Sequence, residues 1–387
     1  MRKIKILHII KTLNLGGAEA NLLNLIQAMD PERFENHAAY SFGGEMEERF
    51  RASPVKLFKY ADGNHKLKSL HSAAIIARLA AYIKKQRIDI VHTHNFNAHL
   101  WGLAAAKLAG VQVVEHVHDM RYMPLEELQK RRGVHAQFRF IRFFKNKSDC
   151  VLVLTRQNET YLLENHFYPP EKIRQARNGV PLPEPAKIEE TRAEARDAAL
   201  HRLGIAPWAR VILTPARVAP EKNIDLIFEV ASTVMREVPE AVFVIAGDGP
   251  LLEEFEKKAA DRKFKGGVRL PGFFSDTAFL MARADIFFLP SFLELHSIAL
   301  LEAMSMKVPA VISAGVGCHE EFIRNWHNGV LLDPFSSEGW AGALVRLLKE
   351  ESLRRSLAEN AFRTCVEQFD VRQAAGKMGE VYAELTH

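Results

Sequence analysis

Cysteine is scarce in this sequence: the 387 residues include three, Cys150, Cys318 and Cys365, far apart from one another. This spacing provides neither a disulfide framework nor a cluster of metal ligands, so we expect structural thiols in a reducing compartment. Long apolar runs are also missing. None approaches the ~18 residues of a membrane span, and the run near the N-terminus ends at Lys11, too early for a secretory signal peptide. These absences predict a cytoplasmic protein whose contact with a membrane, if it has one, is peripheral.

The Gly-x-Gly-x-x-Gly fingerprint of dinucleotide-binding proteins is absent too. The first apolar run ends near Ile10 and is followed instead by the glycine pair Gly16 and Gly17, where a helix with apolar spacing begins. Paired glycines after a first strand let the backbone approach a ligand closely, although many such glycines only form a turn. The missing fingerprint argues against a dinucleotide-dependent oxidoreductase.

The overall composition is typical of a globular protein, with 48% hydrophobic and 26% charged residues, and the length predicts two domains. The net charge of +5 conceals an asymmetry. Residues 1–180 contain 28 Lys and Arg against 17 Asp and Glu (+11), whereas residues 181–387 contain 24 against 30 (−6). A basic first half and an acidic second half indicate two domains with different partners.

Short apolar runs rich in β-forming residues alternate with helical segments throughout the chain. This is the pattern of α/β domains with doubly wound parallel sheets. We predict a first domain over residues 1–180, an interdomain connection over 181–204 that contains Pro183 and Pro185, and a second domain over 205–370.

One stretch of the second domain, Ala284–Ala303, combines a strand, a turn and a helix. Ile286–Leu289 predicts a buried strand, and the helix begins at about Ser297, whose hydroxyl can cap its first turn. A helix N-terminus at the end of a parallel strand favours a phosphate, and the carboxylates of Glu294 and Glu302 could accept hydrogen bonds from hydroxyl groups on either side. A nucleotide sugar has this layout. The same pattern also fits an ordinary strand, turn and helix with two exposed acids.

Two cations follow the first predicted strand of the second domain. We expect Arg217 and Lys222 at the same sheet edge as Glu294 and Glu302, because the carboxyl ends of parallel strands line one crevice. Arginine can fork onto two phosphate oxygens and lysine adds a point charge, so the two can neutralise a diphosphate. Taken singly, each is typical of a surface residue.

Histidines end two predicted strands of the first domain. His94 closes one strand and His118 follows another. Strand carboxyl ends line the ligand crevice of a doubly wound sheet, so both are candidate functional residues. A structural role is the alternative for each.

The region Lys130–Lys147 mixes seven lysines and arginines with bulky apolar residues. A helix of this composition can lie on an anionic membrane surface. The alternative is a helix that packs its phenylalanines on the sheet and exposes its cations.

Taken together, these motifs resemble those of retaining glycosyltransferases of family 4, which have the two-domain GT-B fold. The matching segments span nearly the whole chain: Gly16 to Glu19, Asp89 to His94, His118-Asp119, Asn178 to Val180, Arg217 to Asn223, Ala246 to Pro250, and Glu294 with Glu302, which is similar to the family's Glu-x7-Glu motif. The resemblance implies two Rossmann-like doubly wound domains facing a central cleft, with the final helix, about 371–387, packing back on the first.

The resemblance also implies roles for individual residues. Arg217 and Lys222 would hold the donor diphosphate. Glu302 would accept from the ribose hydroxyls, and Glu294 would contact the transferred sugar beside the reacting carbon. In the first domain, Gly16 and Gly17 would close on the diphosphate, and His118 would lie near the donor sugar and the acceptor.

One departure from the family concerns the loop after Glu294. The family usually has Gly-Phe or Gly-Leu there, and this chain has Leu295, His296 and Ser297. We expect a side chain at this place to narrow the loop in which backbone amides meet the sugar. The departure affects the identity of the donor sugar more than the type of reaction.

We therefore interpret the sequence as a glycosyltransferase of hexosyltransferase type. It would move a sugar from a nucleoside-diphosphate sugar, with uridine the default base and guanosine open, to a glycan or lipid-linked acceptor with retention of configuration. Such a reaction serves cell-surface polysaccharide or glycolipid biosynthesis. The chain has no Asp-x-Asp motif, and we expect no metal, no other cofactor and no nucleic acid partner. The Lys130–Lys147 region leaves open a peripheral position on the inner face of the cell membrane.

Two alternatives remain. A sugar-nucleotide epimerase or a phosphorylase can share the two-domain fold, and an epimerase would convert the donor without an acceptor. A non-catalytic scaffold that binds nucleotide sugars is the second, and the presence of all four residues Arg217, Lys222, Glu294 and Glu302 argues against it.

Overall fold

The computed structural model describes residues 2–14, 16–62, 70–94, 96–118, 146–264 and 266–386. The chain divides into two compact units, one of Met1–Gly179 with Val371–His387 and one of Val180–Asp370. Apart from its last two residues, the basic region predicted at Lys130–Lys147 lies outside the described residues. Among the described residues, no helix combines the length and the apolar character needed to span a membrane.

The first unit is built on a seven-stranded parallel sheet with the order β3-β2-β1-β4-β5-β6-β7. Its strands are β1 (Ile4–Ile9), β2 (Phe34–Tyr40), β3 (Val55–Lys59), β4 (Ile90–His94), β5 (Gln112–Val117), β6 (Cys150–Val153) and β7 (Ile173–Gln175). The winding direction reverses between β1 and β4. In doubly wound sheets, ligands bind outside the strand carboxyl ends at such a reversal.

Helices cover both faces of this sheet. They are α1 (Gly17–Ala28), α2 (Glu47–Arg51), α3 (Leu70–Gln86), α4 (Phe96–Ala109), α5 (Arg156–Glu164) and, from the end of the chain, α14 (Val371–Thr386). One core lies under α3 and α4 and contains the buried Trp101 and Leu79. The opposite core joins α1 and α14 to the sheet through Leu25, Met378 and Tyr382.

The second unit is built on a six-stranded parallel sheet with the order β10-β9-β8-β11-β12-β13. Its strands are β8 (Arg210–Pro215), β9 (Ala241–Ala246), β10 (Val268–Gly272), β11 (Ile286–Leu289), β12 (Ala310–Ser313) and β13 (Val330–Leu332). Here the winding reverses between β8 and β11, which places the loops after these two strands side by side.

The helices of the second unit enclose an aromatic core. They are α6 (Pro185–Leu203), α7 (Ile224–Glu237), α8 (Leu252–Ala259), α9 (Thr277–Arg283), α10 (Ile298–Ser305), α11 (His319–Phe322), α12 (Trp340–Lys349) and α13 (Glu351–Gln368). Trp340 and Phe288 are fully buried, with ring centroids 5.5 Å apart. Burial of rings of this size supplies a large share of the hydrophobic stabilisation of such a unit.

The segment 181–204, predicted as an interdomain connection, is mostly helical. Helix α6 packs against α9, and the Arg192 guanidinium donates to the carbonyls of Met306 and Lys307 at 2.7 and 2.6 Å. Pro185 is the first residue of the helix, a position that tolerates proline because its amide would have no intrahelical partner. The prolines therefore mark the start of a helix of the second unit.

Candidate active site

Two loops meet at the carboxyl edge of the second sheet. The loop after β8 ends in a 3-10 turn, Pro220–Lys222, and Asn223 then takes a left-handed conformation (φ 52°) that redirects the chain into α7. The Asn223 amide donates to the carbonyl of Pro334 at 3.1 Å. The backbone amide of Phe292, in the loop after β11, donates to the carbonyl of Glu221 at 2.9 Å. The loop with Lys222 is thus tied to the loop with Glu294.

Lys222 and Glu294 form the central pair of this edge. The Lys222 ammonium donates to Oε1 of Glu294 at 2.5 Å, and the two side chains are 19% and 10% exposed. Ser291 Oγ donates to the same oxygen at 2.9 Å. An ammonium has three donors, and the contact with Glu294 uses one of them. Lys222 can therefore hold the carboxylate and still donate to an anionic ligand.

Arg217 lies on the same loop but does not join this pair. Its side chain is 65% exposed, and its guanidinium is 3.8 Å from the carboxylate of Glu221, a surface contact of small energetic value. The loop itself is held by the turn after β9, because a Cβ at Gly247 or Gly249 would collide with the carbonyl oxygens of Ala216 and Val218. The arginine is therefore an exposed cation on a closely packed loop.

The loop after Glu294 is held in place by close contact with Gly317 and Cys318. The carbonyl of Leu295 accepts from the Cys318 amide at 3.1 Å and from its thiol at 3.0 Å. Gly317 has a φ of +60°, and a Cβ there would lie 2.5 Å from the carbonyl oxygens of Glu294 and Leu295. This close approach requires glycine at position 317.

The side chains of Leu295 and His296 are both buried. The His296 ring packs against Phe322 and Phe369, with centroids 5.8 and 5.4 Å apart. The sequence suggested that these side chains narrow the ligand loop. The structure corrects this for His296, because its ring is accommodated within the core of the second unit.

Helix α10 begins as predicted. The Ser297 hydroxyl accepts from the amide of Leu300 at 3.3 Å, which confirms the predicted N-cap. Glu302 lies half-buried on this helix, one turn further on. Near Glu294, the buried His319 donates through Nδ1 to the carbonyl of Ser313 at 2.8 Å, and burial lowers its pKa although the Glu294 charge opposes this.

In the first unit, the glycine pair marks the start of α1. Gly16 is the extended N-cap residue, half-buried, and Gly17 is the first helical residue. In the same turn Glu19 is buried, its carboxylate accepts from the Thr12 hydroxyl at 3.1 Å, and burial raises its pKa.

Five histidines gather at the carboxyl end of β1, β4 and β5. They come from paired positions of neighbouring strands, His8 opposite His92 and His94 opposite His116, and His118 follows β5. Burial lowers the pKa of every one of them, to about 4 for His8 and His118 and well below the usual value for the rest. The cluster is therefore neutral at physiological pH.

Hydrogen bonds link the members of this cluster. His8 Nδ1 lies 3.2 Å from His94 Nε2, and His94 Nδ1 lies 3.1 Å from His118 Nε2. On the other side, His8 Nε2 lies 3.1 Å from Oδ1 of Asn36. His92 Nδ1 is 2.6 Å from the hydroxyl of Tyr382 on α14.

The same cluster contains geometry that a metal could use. One ring nitrogen from each of His8, His92 and His94 lies within 4.8 Å of the other two, and the same holds for His94, His116 and His118. Neutral imidazoles are ligands for Zn²⁺ and similar ions. The expectation of a metal-free reaction stays a prediction.

Residues of these sites that the sequence did not indicate include His8, Asn36, Ser291 and His319. His8 carried a signal, because it is a polar residue near the carboxyl end of a buried strand, like His94. Asn36 and His319 contact the sites from elements that are distant in sequence, whereas Ser291 lies three residues before Glu294, and no local pattern marks any of the three.

Comparison with known proteins gives matches over both units. The family model described as Glycosyltransferase Family 4 matches residues 15–183, and the model for glycosyl transferases group 1 matches residues 196–364. The chain is 26% identical over 388 residues to UDP-Gal:alpha-D-GlcNAc-diphosphoundecaprenol alpha-1,3-galactosyltransferase of Escherichia coli, covering 99% of this chain and 97% of that protein. It is 26% identical over 398 residues to D-inositol 3-phosphate glycosyltransferase of Thermobispora bispora, covering 98% and 89%.

Solved structures show the same fold. HepE of Anabaena, in complex with UDP-glucose, matches with a TM-score of 0.80 at 19% identity, covering 98% of this chain and all of that one. Sucrose-phosphate synthase of Thermosynechococcus elongatus has a TM-score of 0.80 at 17% identity, with 99% of each chain covered. Together with the two parallel sheets, these matches confirm the predicted GT-B class with two Rossmann-like units. The family matches extend across both sheets and include the loops that hold Lys222 and Glu294, and the chain belongs to glycosyltransferase family 4.

Proposed function

We propose that this glycosyltransferase moves a hexose from a UDP-sugar to a glycan or lipid-linked acceptor with retention of anomeric configuration. The pairing of Lys222 with Glu294, next to the capped start of α10, carries the proposal. It combines a cation for the leaving diphosphate with a carboxylate for the sugar hydroxyls in one small site.

The leaving diphosphate would be stabilised by fixed positive charge. The Lys222 ammonium is held by Glu294 and keeps donors for a phosphate oxygen, and the exposed Arg217 guanidinium could fork onto two more. The amides of the first turn of α10 add a favourable dipole. Such preorganised groups act where charge develops as the glycosidic bond breaks.

The carboxylates would bind the two ends of the donor. Glu294 is fixed by Lys222 and Ser291 and would accept from hydroxyls of the transferred sugar. Glu302, further along α10, would accept from the ribose. For the first unit, the proposal assigns Gly16 and Gly17 to the donor diphosphate and His118 to sugar or acceptor hydroxyls. Retention would follow from attack by the acceptor on the face that the diphosphate leaves, with no metal required.

Two of the compared proteins support uridine as the base. The E. coli relative is named for UDP-Gal and a diphosphoundecaprenol acceptor, and the Anabaena structure contains UDP-glucose. For this chain we propose a UDP-sugar donor and a lipid-linked or glycan acceptor in cell-surface polysaccharide or glycolipid biosynthesis.

The test begins with a thermal-shift screen of UDP, GDP and their sugars, because a ligand that binds only the folded state raises the melting temperature. We expect UDP compounds to give the largest shift. The best donor is then incubated alone, with lipid-linked glycan acceptors, and with acceptor plus EDTA. We expect product to form only when acceptor is present, and turnover to be unchanged in EDTA. We also expect ¹H NMR of the product to show an axial glycosidic bond when the donor has one. Conversion of the donor alone would identify an epimerase, and a larger shift with GDP compounds would overturn the choice of base.

We also propose peripheral binding to anionic membranes through the Lys130–Lys147 region, supported by its seven cations and interleaved aromatics. Co-sedimentation with vesicles tests it. Binding should rise with the fraction of anionic lipid and fall when Arg131 and Arg132 are changed to Glu. Equal binding to neutral and anionic vesicles would contradict it.

A further inference from the structure

The buried histidines of the first unit form a chain of hydrogen bonds with a defined direction. It runs from Asn36 on β2 through His8 on β1 and His94 on β4 to His118, which follows β5. The three links are 3.1, 3.2 and 3.1 Å long. Asn36, His8 and His94 are buried, and His118 alone is partly exposed. The chain thus connects the interior of the sheet with a residue at its accessible end.

The hydrogen bond between Asn36 and His8 determines which atom donates and which accepts in the other two hydrogen bonds. Oδ1 of Asn36 is an acceptor, so Nε2 of His8 must carry the proton. A neutral imidazole has one protonated nitrogen, so Nδ1 of His8 accepts from Nε2–H of His94. By the same reasoning, Nδ1 of His94 accepts from Nε2–H of His118. The remaining nitrogen, Nδ1 of His118, is left as an acceptor.

We propose that Asn36, His8 and His94 are positioning residues that fix the tautomer of His118 and make its Nδ1 a hydrogen-bond acceptor for a substrate hydroxyl. Among the residues that the structure describes, that nitrogen has no partner. A hydroxyl that donates to it has its oxygen lone pairs turned elsewhere, either for attack on the sugar or for a second donor. The hydroxyl ligand rests on the proposed transferase function, whereas the tautomer does not.

Burial preserves the direction that Asn36 sets. A charged imidazolium would donate through both nitrogens and break the order of the chain, and desolvation lowers the pKa of His8, His94 and His118 so that all three stay neutral. The neighbouring His92 and His116 are neutral for the same reason. The opposite direction would need the Asn36 amide nitrogen to face His8, and would turn His118 Nδ1 into a donor.

The tautomer can be measured directly. In protein with ¹⁵N-labelled histidine rings, long-range ¹H–¹⁵N NMR separates protonated from unprotonated ring nitrogens, and the His118→Gln variant assigns the His118 signals. We expect the wild type to show a protonated Nε2 and an unprotonated Nδ1 in His118 between pH 6 and 8. A proton on Nδ1, or an even mixture of tautomers, would overturn the proposal.

Variants at the buried end test the coupling. Asn36→Leu removes the acceptor that starts the chain, and His94→Phe interrupts it while keeping an aromatic ring in place. We expect both to shift His118 towards a mixture of tautomers. His37→Gln is the matched control, because His37 is a buried histidine on the same strand whose partners are Tyr82 and Glu35. An unchanged His118 tautomer in both chain variants would contradict the coupling.

Kinetic measurements on the same variants test whether the His118 tautomer affects the reaction. In Asn36→Leu and His94→Phe we expect kcat to fall about 10-fold, roughly what one hydrogen bond contributes, with UDP affinity unchanged and the control near wild type. A changed tautomer with unchanged kcat would overturn the catalytic part of the proposal. If the wild type transfers no sugar at all, the proposed function fails while the NMR result stands by itself.

Discussion

A single carboxylate oxygen, Oε1 of Glu294, accepts hydrogen bonds from both Lys222 and Ser291. At the scale of single residues, the structure gives Lys222 a second role. The sequence predicted a cation for a diphosphate, and the structure shows an ammonium that also neutralises a largely buried acid. Breaking such a pair leaves an uncompensated charge, so activity and stability are both sensitive to it.

Changing Lys222 to Ala should lower turnover by roughly 10²–10³, the scale for the loss of one preorganised electrostatic group. Turnover is measured at saturating donor, and melting temperatures show whether the variant is folded. Lys258→Ala is the matched control, since it removes a lysine from a surface ion pair with Asp225 at 2.7 Å. Turnover of Lys222→Ala near that of the wild type would refute the assignment of the site.

At the scale of elements, the site depends on short loops that are fixed by neighbouring loops. The turn around Gly317 holds the carbonyls of Glu294 and Leu295, and the Cys318 amide bonds the second of them. The Glu294 loop therefore has little freedom to adapt to a ligand. Its shape is determined by a segment that lies more than twenty residues away in the chain.

Gly317→Ala should destabilise the second unit more than Gly315→Ala does. Both glycines have a left-handed φ, +60° and +67°, but only a Cβ at 317 meets backbone atoms within 4 Å. We expect a loss of about 1 kcal/mol for the conformational strain at 315, and roughly 2 kcal/mol more at 317 for the collision. Urea denaturation followed by tryptophan fluorescence measures the difference. Equal midpoints for the two variants would show that the loop can move away.

At the scale of the whole molecule, the buried histidine cluster makes stability depend on pH. The pKa of His8 falls from 6.5 to about 4 on folding because of burial. Between these values the unfolded chain binds the proton more readily than the folded one, so stability is lost as the pH falls below 6.5. Glu35 acts in the same direction, but the hydrogen bond from Lys56 lowers its pKa from 4.5 to about 2, so its contribution is lost only as the pH falls below 4.5.

The melting temperature should therefore decrease from pH 7 to pH 5. His8 alone accounts for about 2 kcal/mol over this interval, from 1.36 kcal/mol per pKa unit. Scanning calorimetry at several pH values measures the slope. His8→Asn should reduce the slope, and replacement of the exposed His201 by Gln should leave it unchanged. A flat profile in the wild type would mean that the cluster takes up protons without unfolding.

Much of the architecture could be predicted from local patterns. The strand Ile286–Leu289 has the bounds that its apolar run predicted, which confirms that prediction. Such runs are buried on both faces of a parallel sheet and end at turn residues, so the sequence marks both limits. The difference at residues 181–204 has a local cause, because prolines are typical of linkers but also open helices, as Pro185 does here.

The sequence by itself determined the fold class through its alternating apolar runs and helical segments, and the family through the resemblance of its motifs. It also indicated the candidates Arg217, Lys222, Glu294 and Glu302, through their positions relative to predicted strands and helices. Only the tertiary structure decided how these side chains are used. The Lys222–Glu294 pair joins residues 72 apart in sequence, and the His8–His94 link joins residues 86 apart. Hydrogen bonds and burial at such distances arise when strands from different parts of the chain become neighbours in one sheet, and no local pattern records which polar groups then meet.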